Sequence, residues 1–289
     1  MSTLGAASGA DFARPELLVS TEWLAENLSR PGVRVVDVRW RPDGTGRQVF
    51  AAGHISGAGY IDWATELTSE DDAGELFLLA GPDEVAAALS RAGVSDGSTV
   101  VVYDDTLSMY AARAWWSMRA YGHEAVRILD GGFTTWVEEG RAVTRSVRPP
   151  VPGTFGPRGQ LRMRLTATDL RALIESPAVQ LLDARSPAEY RGHEGNTRRL
   201  GHIPGAINVP VAATYQPGSQ RFRDADGLRE QLRRAGLATR SRRFVCYDGS
   251  GLAASKLAFV LSLLGYEDVA VYDGGWADWG NRLDLPVER

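Results

Sequence analysis

Cysteine is almost missing from this 289-residue chain. The single thiol, Cys246, excludes an intrachain disulfide and every multi-cysteine metal cage. Lysine is as rare: among the basic residues only Lys256 is not arginine, so Schiff-base chemistry has one candidate. That lysine lies in the helical run "AASKLAF", where a surface position is expected. The four histidines, His54, His123, His193 and His202, show no CxxC, HxH or HExxH spacing, so neither a metal site nor a cofactor is expected. No apolar run nears the ~20 residues of a membrane span. A net charge of -4 gives no general attraction to nucleic acid or to an anionic membrane. The opening "MSTLGAASGADFARPELL" has neither the basic nor the apolar region of a secretory leader, and with the lone thiol this points to the cytoplasm. What remains, 44% apolar and 24% charged residues, is the composition of a globular chain long enough for one large domain or two ordinary ones.

Two domains is the better reading, because the chain repeats itself. "VRVVDVRW" (33–40) matches "VQLLDARS" (179–186), and "AGHISGAGYID" (52–62) matches "LGHIPGAINVP" (200–210). "TVVVYDD" (99–105) matches "RFVCYDG" (243–249), and "HEAVRILDGGFTTW" (123–136) matches "YEDVAVYDGGWADW" (266–279). The four motifs keep their order at separations of 143 to 148 residues, which marks a duplication.

Short runs rich in valine and isoleucine read as strands buried on both faces. Helical stretches alternate with them: "PDEVAAALSRAGV", "AARAWWSMRAYG", "TATDLRALIES", "DGLREQLRRAG" and "LAASKLAFVLSLLG". Such alternation predicts a mainly parallel sheet with flanking helices in each half, an α/β fold. The Pro- and Gly-rich "SVRPPVPGTFGPRG" reads as the linker, giving domains at 17–145 and 163–289 joined by 146–162.

In combination, "LLDARSPAEYRG", "GHIPGAINVP" and "VYDGGWADW" resemble the tandem rhodanese family, the thiosulfate and 3-mercaptopyruvate sulfurtransferases. The resemblance runs from about residue 17 to 287. It implies two rhodanese-like domains, the second carrying the active site, with a ligand cleft between them. In active members a cysteine opens the second-domain loop and takes up sulfur as a persulfide, which the loop N–H groups stabilise. Here that loop is 248–254, "DGSGLAA", and the cysteine position holds Asp248; a threonine common in the family is replaced by Ala253. The resemblance also implies that Arg185, Arg191 and Arg199, with Gly249, Ser250 and Gly251, bind a small anionic substrate. No protein acceptor is identifiable.

Three roles for Asp248 stay open: a structural anion at a helix N-terminus, a catalytic acid or base, or, ranked lowest, a nucleophile. The first describes a non-catalytic binding or regulatory protein, the second a sulfurtransferase-family enzyme with an exchanged nucleophile. The first-half loop, "DDTLSMYAAR", also begins with an aspartate, Asp104, but lacks glycine, so a closer ligand approach is expected only at Gly249–Gly251. A fourth alternative is residual sulfur transfer through Cys246. Two residues before Asp248 on a strand, that thiol lies about 6.6 Å away and is expected to be a buried apolar filler.

The duplicated His54 and His202 are expected to brace turns, and Trp115, Trp116, Trp276 and Trp279 to pack the core. Trp40 and Trp63 are candidates for the cleft wall, and the acidic run Glu70-Asp71-Asp72 for a solvated loop.

Overall fold

A computed structural model describes residues 12–70, 77–159, 161–237 and 243–289. The valine-rich runs become two five-stranded sheets, each wholly parallel. In sheet order the first holds Leu18–Val19, Val126–Leu129, Thr99–Tyr103, Val33–Asp37 and Gly59–Tyr60. The second repeats it with Arg164–Leu165, Val269–Tyr272, Arg243–Tyr247, Val179–Asp183 and Ile207–Asn208. Central strands have no polar face because helices cover both sides. Val100 to Tyr103 and Val245 to Tyr247 are accordingly fully buried. Each central strand delivers its next residue, Asp104 or Asp248, to the C-terminal edge of its sheet, the edge at which open α/β sheets bind ligands.

Helices occupy Pro82–Arg91, Met109–Ala120, Ala167–Leu173, Ala225–Arg234 and Leu252–Leu263, overlapping the stretches that the sequence pattern marks. Thr166 and Asp169 form a capping box at the third of these, and Asp224 caps the fourth. Met109–Ala120 and Leu252–Leu263 follow the two aspartate loops and are apolar nearly all round, the mark of helices with no solvent face. They pack against each other across the domain junction, where the Trp115 ring meets Phe259 edge-on at 5.2 Å. One apolar cluster therefore runs through both halves, from Val102 and Trp116 to Phe222 and Leu257. Truncating Trp115 to alanine would cost about 3–5 kcal/mol by the usual core arithmetic.

The Pro- and Gly-rich segment between the halves is strapped to the first one. Gly153 donates to the Ser90 carbonyl at 2.8 Å and Arg158 to that of Tyr121 at 2.9 Å, while Phe155 is buried. Among the described residues no helix is long and apolar enough to cross a membrane. Glu70 is exposed, whereas Asp71 and Asp72 of the acidic run lie outside the described residues.

Candidate active-site loops

The two aspartate loops are built alike. In the first half all the capacity of Asp104 is taken by backbone. Its Oδ1 accepts the N–H groups of Thr106 and Ser108 at 2.9 and 3.0 Å, and its Oδ2 those of Tyr110 and Ala111 at 2.8 and 2.9 Å. To aim these donors inward, Leu107 and Ser108 adopt left-handed conformations, with φ of 53° and 55°. Without glycine, two other residues take the strained conformation, and the loop closes on its own carboxylate.

In the second half the Asp248 carboxylate sits in the same cradle. Gly251 donates to Oδ1 at 2.5 Å and Ala253 to Oδ2 at 3.1 Å. Asp248 is 6% exposed. Burial raises its pKa, partly countered by the N–H groups of Ala253, Gly251, Ser250 and Ala254. Behind the carboxylate, the Asp248 carbonyl accepts from Trp276 and that of Gly249 from Ala277, at 2.6 and 3.0 Å. Gly251, at φ 83°, takes the left-handed position before the long helix that Ser108, at φ 55°, fills in the other loop. Its amide, expected to hold substrate, already holds Asp248. The Ser250 hydroxyl has no partner among the described residues.

Each loop is also touched by a buried cation from the opposite half. Lys256, in the helix after Asp248, is fully buried, which corrects the surface position expected for it. Its Nζ donates to the Leu107 carbonyl at 2.8 Å and lies 3.1 Å from the centre of the Tyr215 ring. Burial pushes its pKa well down, and Asp104 opposes that. Arg113, in the helix after Asp104, mirrors it. Its Nη2 donates to the Phe77 carbonyl at 2.6 Å and its Nη1 reaches the Gly251 carbonyl at 3.4 Å. Arg113 is fully buried and its Nε lacks a partner. Desolvation lowers its pKa to about 10, against the fields of Asp273 and Asp248. Sequence reading placed Lys256 at the surface and passed over Arg113, because neither stands in a recognisable motif.

The other candidates fall elsewhere. Cys246 is fully buried in its strand, in register with Leu182 and Val271, and burial drives its thiol pKa upward. Arg185 is not a free anchor: its guanidinium grips Asp183 at 2.5 Å and the Gly201 carbonyl at 2.8 Å, over the Trp276 ring. Arg39 and Asp37 form the same pair in the first half, so the pair belongs to the fold. Arg199 is committed to the carbonyls of Trp279, Arg282 and Leu285 and ties down the C-terminal stretch. Only Arg191, of the three, is exposed and unengaged among the described residues. Trp63 is 1% exposed and stacks on Tyr110 at 5.2 Å, inside the first half rather than on an open wall; Trp40 packs edge-on against both. His54 and His202 engage the carbonyls of Phe50 and Tyr190, each at 2.9 Å, and brace their turns.

A profile of the rhodanese-like domain matches residues 20–139 and 166–282. Among curated proteins, the chain is 36% identical to "Sulfur carrier protein TtuD" of Thermus thermophilus, over 96% of this chain and 98% of that one. It is 34% identical to the thiosulfate sulfurtransferase of Gallus gallus, over 92% and 93%. Among solved structures, the 3-mercaptopyruvate sulfurtransferase SseA of Escherichia coli superposes with a TM-score of 0.81 at 28% identity, covering 90% of this chain and 98% of that one. With two matching domains, the duplicated parallel sheets and relatives of this similarity along nearly their whole length, the chain belongs to the rhodanese family of sulfurtransferases.

Proposed function

We propose that this protein is a rhodanese-family member that does not transfer sulfur through a persulfide, its second-domain loop being closed permanently on the carboxylate of Asp248. On this reading Asp248 stands where relatives carry the reactive thiol, and its charge replaces the sulfur anion that such a loop would cradle. The observation that carries the reading is the donation of the Gly251 and Ala253 N–H groups to the carboxylate itself. Asp104, held the same way in the first half, supports a structural role over acid–base catalysis. A carboxylate with both oxygens engaged and 6% exposure is poorly placed to exchange protons with a substrate. Cys246, buried in mid-strand, offers no replacement nucleophile. The protein then acts by binding, as a recognition or regulatory member of its family.

Thiocyanate formation from thiosulfate and cyanide, and sulfur release from 3-mercaptopyruvate, test this. The wild-type chain and its Asp248→Asn and Cys246→Ala variants should all stay at the uncatalysed rate. Turnover abolished by Asp248→Asn would restore the acid–base role, and turnover abolished by Cys246→Ala would make the protein an ordinary sulfur carrier.

A further inference from the structure

Each half carries a groove beside the outermost strand of its sheet. The two are equivalent by register: Tyr60 pairs with Asp37, and Asn208 with Asp183. Asp62 and Pro210, each two residues beyond its outer strand, each line the groove of their own half. The first-half groove, about 580 Å³, sets Arg47 against Asp62 and Glu66. Both carboxylates there serve the local backbone: Asp62 accepts from Ala64 at 3.1 Å and Glu66 from Asp62 at 2.9 Å.

In the second half the charge is inverted. That groove, about 490 Å³, is lined by Arg191, Arg223 and Arg234 with one acid, Glu230, and by the apolar Pro210 and Ala213. Glu230 is already paired at 2.7 Å with Arg233 and with Arg234. The Arg191 guanidinium touches no polar partner among the described residues. Arg223 uses only its Nε, on the Ala213 carbonyl at 2.8 Å, which leaves its two Nη groups for a ligand. Gln231 adds a second requirement. Its Nε2 donates to the Pro210 carbonyl at 2.9 Å, which fixes the amide orientation, and its buried Oε1 has no donor.

We infer that this groove binds a small organic acid: a carboxylate facing Arg191 and Arg223, an apolar body on Pro210 and Ala213, and an N–H group for the Gln231 Oε1. Its volume suits such a ligand, and planar guanidinium forks suit a carboxylate. None of these residues belongs to the aspartate loops, so the inference stands independently of the role of Asp248. An N-acylated amino acid and the C-terminal end of a peptide both present this chemistry.

The probes are N-acetyl-phenylalanine, its C-terminal amide, 3-phenylpropionate, and a short peptide ending in phenylalanine, titrated by calorimetry and by NMR of the whole chain. N-acetyl-phenylalanine should bind, and the amide at least tenfold more weakly. The 3-phenylpropionate, lacking the N–H, should fall between them. Arg191→Gln and Arg223→Gln should each weaken the acid about tenfold with circular dichroism unchanged, while Arg47→Gln in the first-half groove changes nothing. A peptide bound more tightly than the free acid would identify a chain terminus as the ligand, and the reverse order a free metabolite. Equal binding of acid and amide, affinity indifferent to Arg191 and Arg223, or no binding at millimolar concentration would overturn the inference.

Discussion

Lys256 donates its Nζ to the carbonyl of Leu107, 149 residues away and in the other domain, at 2.8 Å. Leu107 lies in the Asp104 loop as Gly251 lies in the Asp248 loop, and the Gly251 carbonyl receives Arg113 in return. The duplication has therefore produced a reciprocal junction in which each domain's long helix closes the other domain's aspartate loop. Tyr215 reinforces the first contact, its hydroxyl donating to Leu107 at 2.6 Å. Leu107 is held strained by donors and acceptors that only the assembled junction supplies.

Replacing Lys256 by methionine keeps the volume of the side chain but removes the donor. Leaving a buried acceptor short of its donor costs about 1–3 kcal/mol, and the surviving Tyr215 contact moderates the loss. Lys256→Met should lower unfolding stability by about 1–3 kcal/mol in urea titrations. A variant as stable as wild type would show that the contact contributes nothing.

Asp130 makes a second reciprocal contact, accepting the Phe222 N–H at 3.0 Å, as Asp273 accepts that of Leu79 at 2.7 Å. Burial raises the Asp130 pKa from 3.8 to about 6, with Phe222 and Arg221 opposing. A raised folded-state value means that the folded state holds a proton the unfolded chain has released. The associated stability is present below pH 4 and lost as pH rises through about 6. Asp130→Asn should flatten the decline between pH 4 and 6, a change on the order of 2 kcal/mol by the pKa difference. Melting curves across that range check it; an unchanged slope would assign the decline to other groups.

The Cys246 thiol, buried and held protonated, should resist iodoacetamide and disulfide reagents in the native state. Its labelling rate should follow global unfolding and rise with urea. Rapid native labelling would place the sulfur at an accessible surface.

Removing the Asp248 side chain leaves the Gly251 and Ala253 N–H groups without their acceptor. Asp248→Ala should destabilise the protein by about 1–3 kcal/mol, the usual penalty for orphaned buried donors. An acid–base catalyst that merely visits substrate would leave stability nearly unchanged, so denaturant midpoints separate the two roles.

The fold was legible because duplication wrote each signal twice: valine-rich strands ending at Asp37 and Asp183, and strands leading to Asp104 and Asp248. That same doubling held a clue about Arg185, since Asp-x-Arg occurs in both halves, and a pair kept in the half without an active site serves the fold. Lys256 was not legible. Its helix is apolar on every side, and only the docking of two domains decides which side meets the Leu107 carbonyl. Arg199 escaped for a related reason: its three carbonyl partners lie 80 to 86 residues on, at the end of the last helix and in the stretch that follows it. Closure of the first-half loop on Asp104 was not legible either, because it depends on surrounding contacts that hold leucine and serine at positive φ.

The most direct test of a cradle filled by its own carboxylate is intact-mass spectrometry after exposure to thiosulfate, on wild type and on Asp248→Cys. The wild-type mass should stay unchanged, and the variant should gain one sulfur atom, its new thiol inheriting the N–H donors now facing the carboxylate. A sulfur adduct on the wild-type chain, mapped to Cys246, would contradict the account.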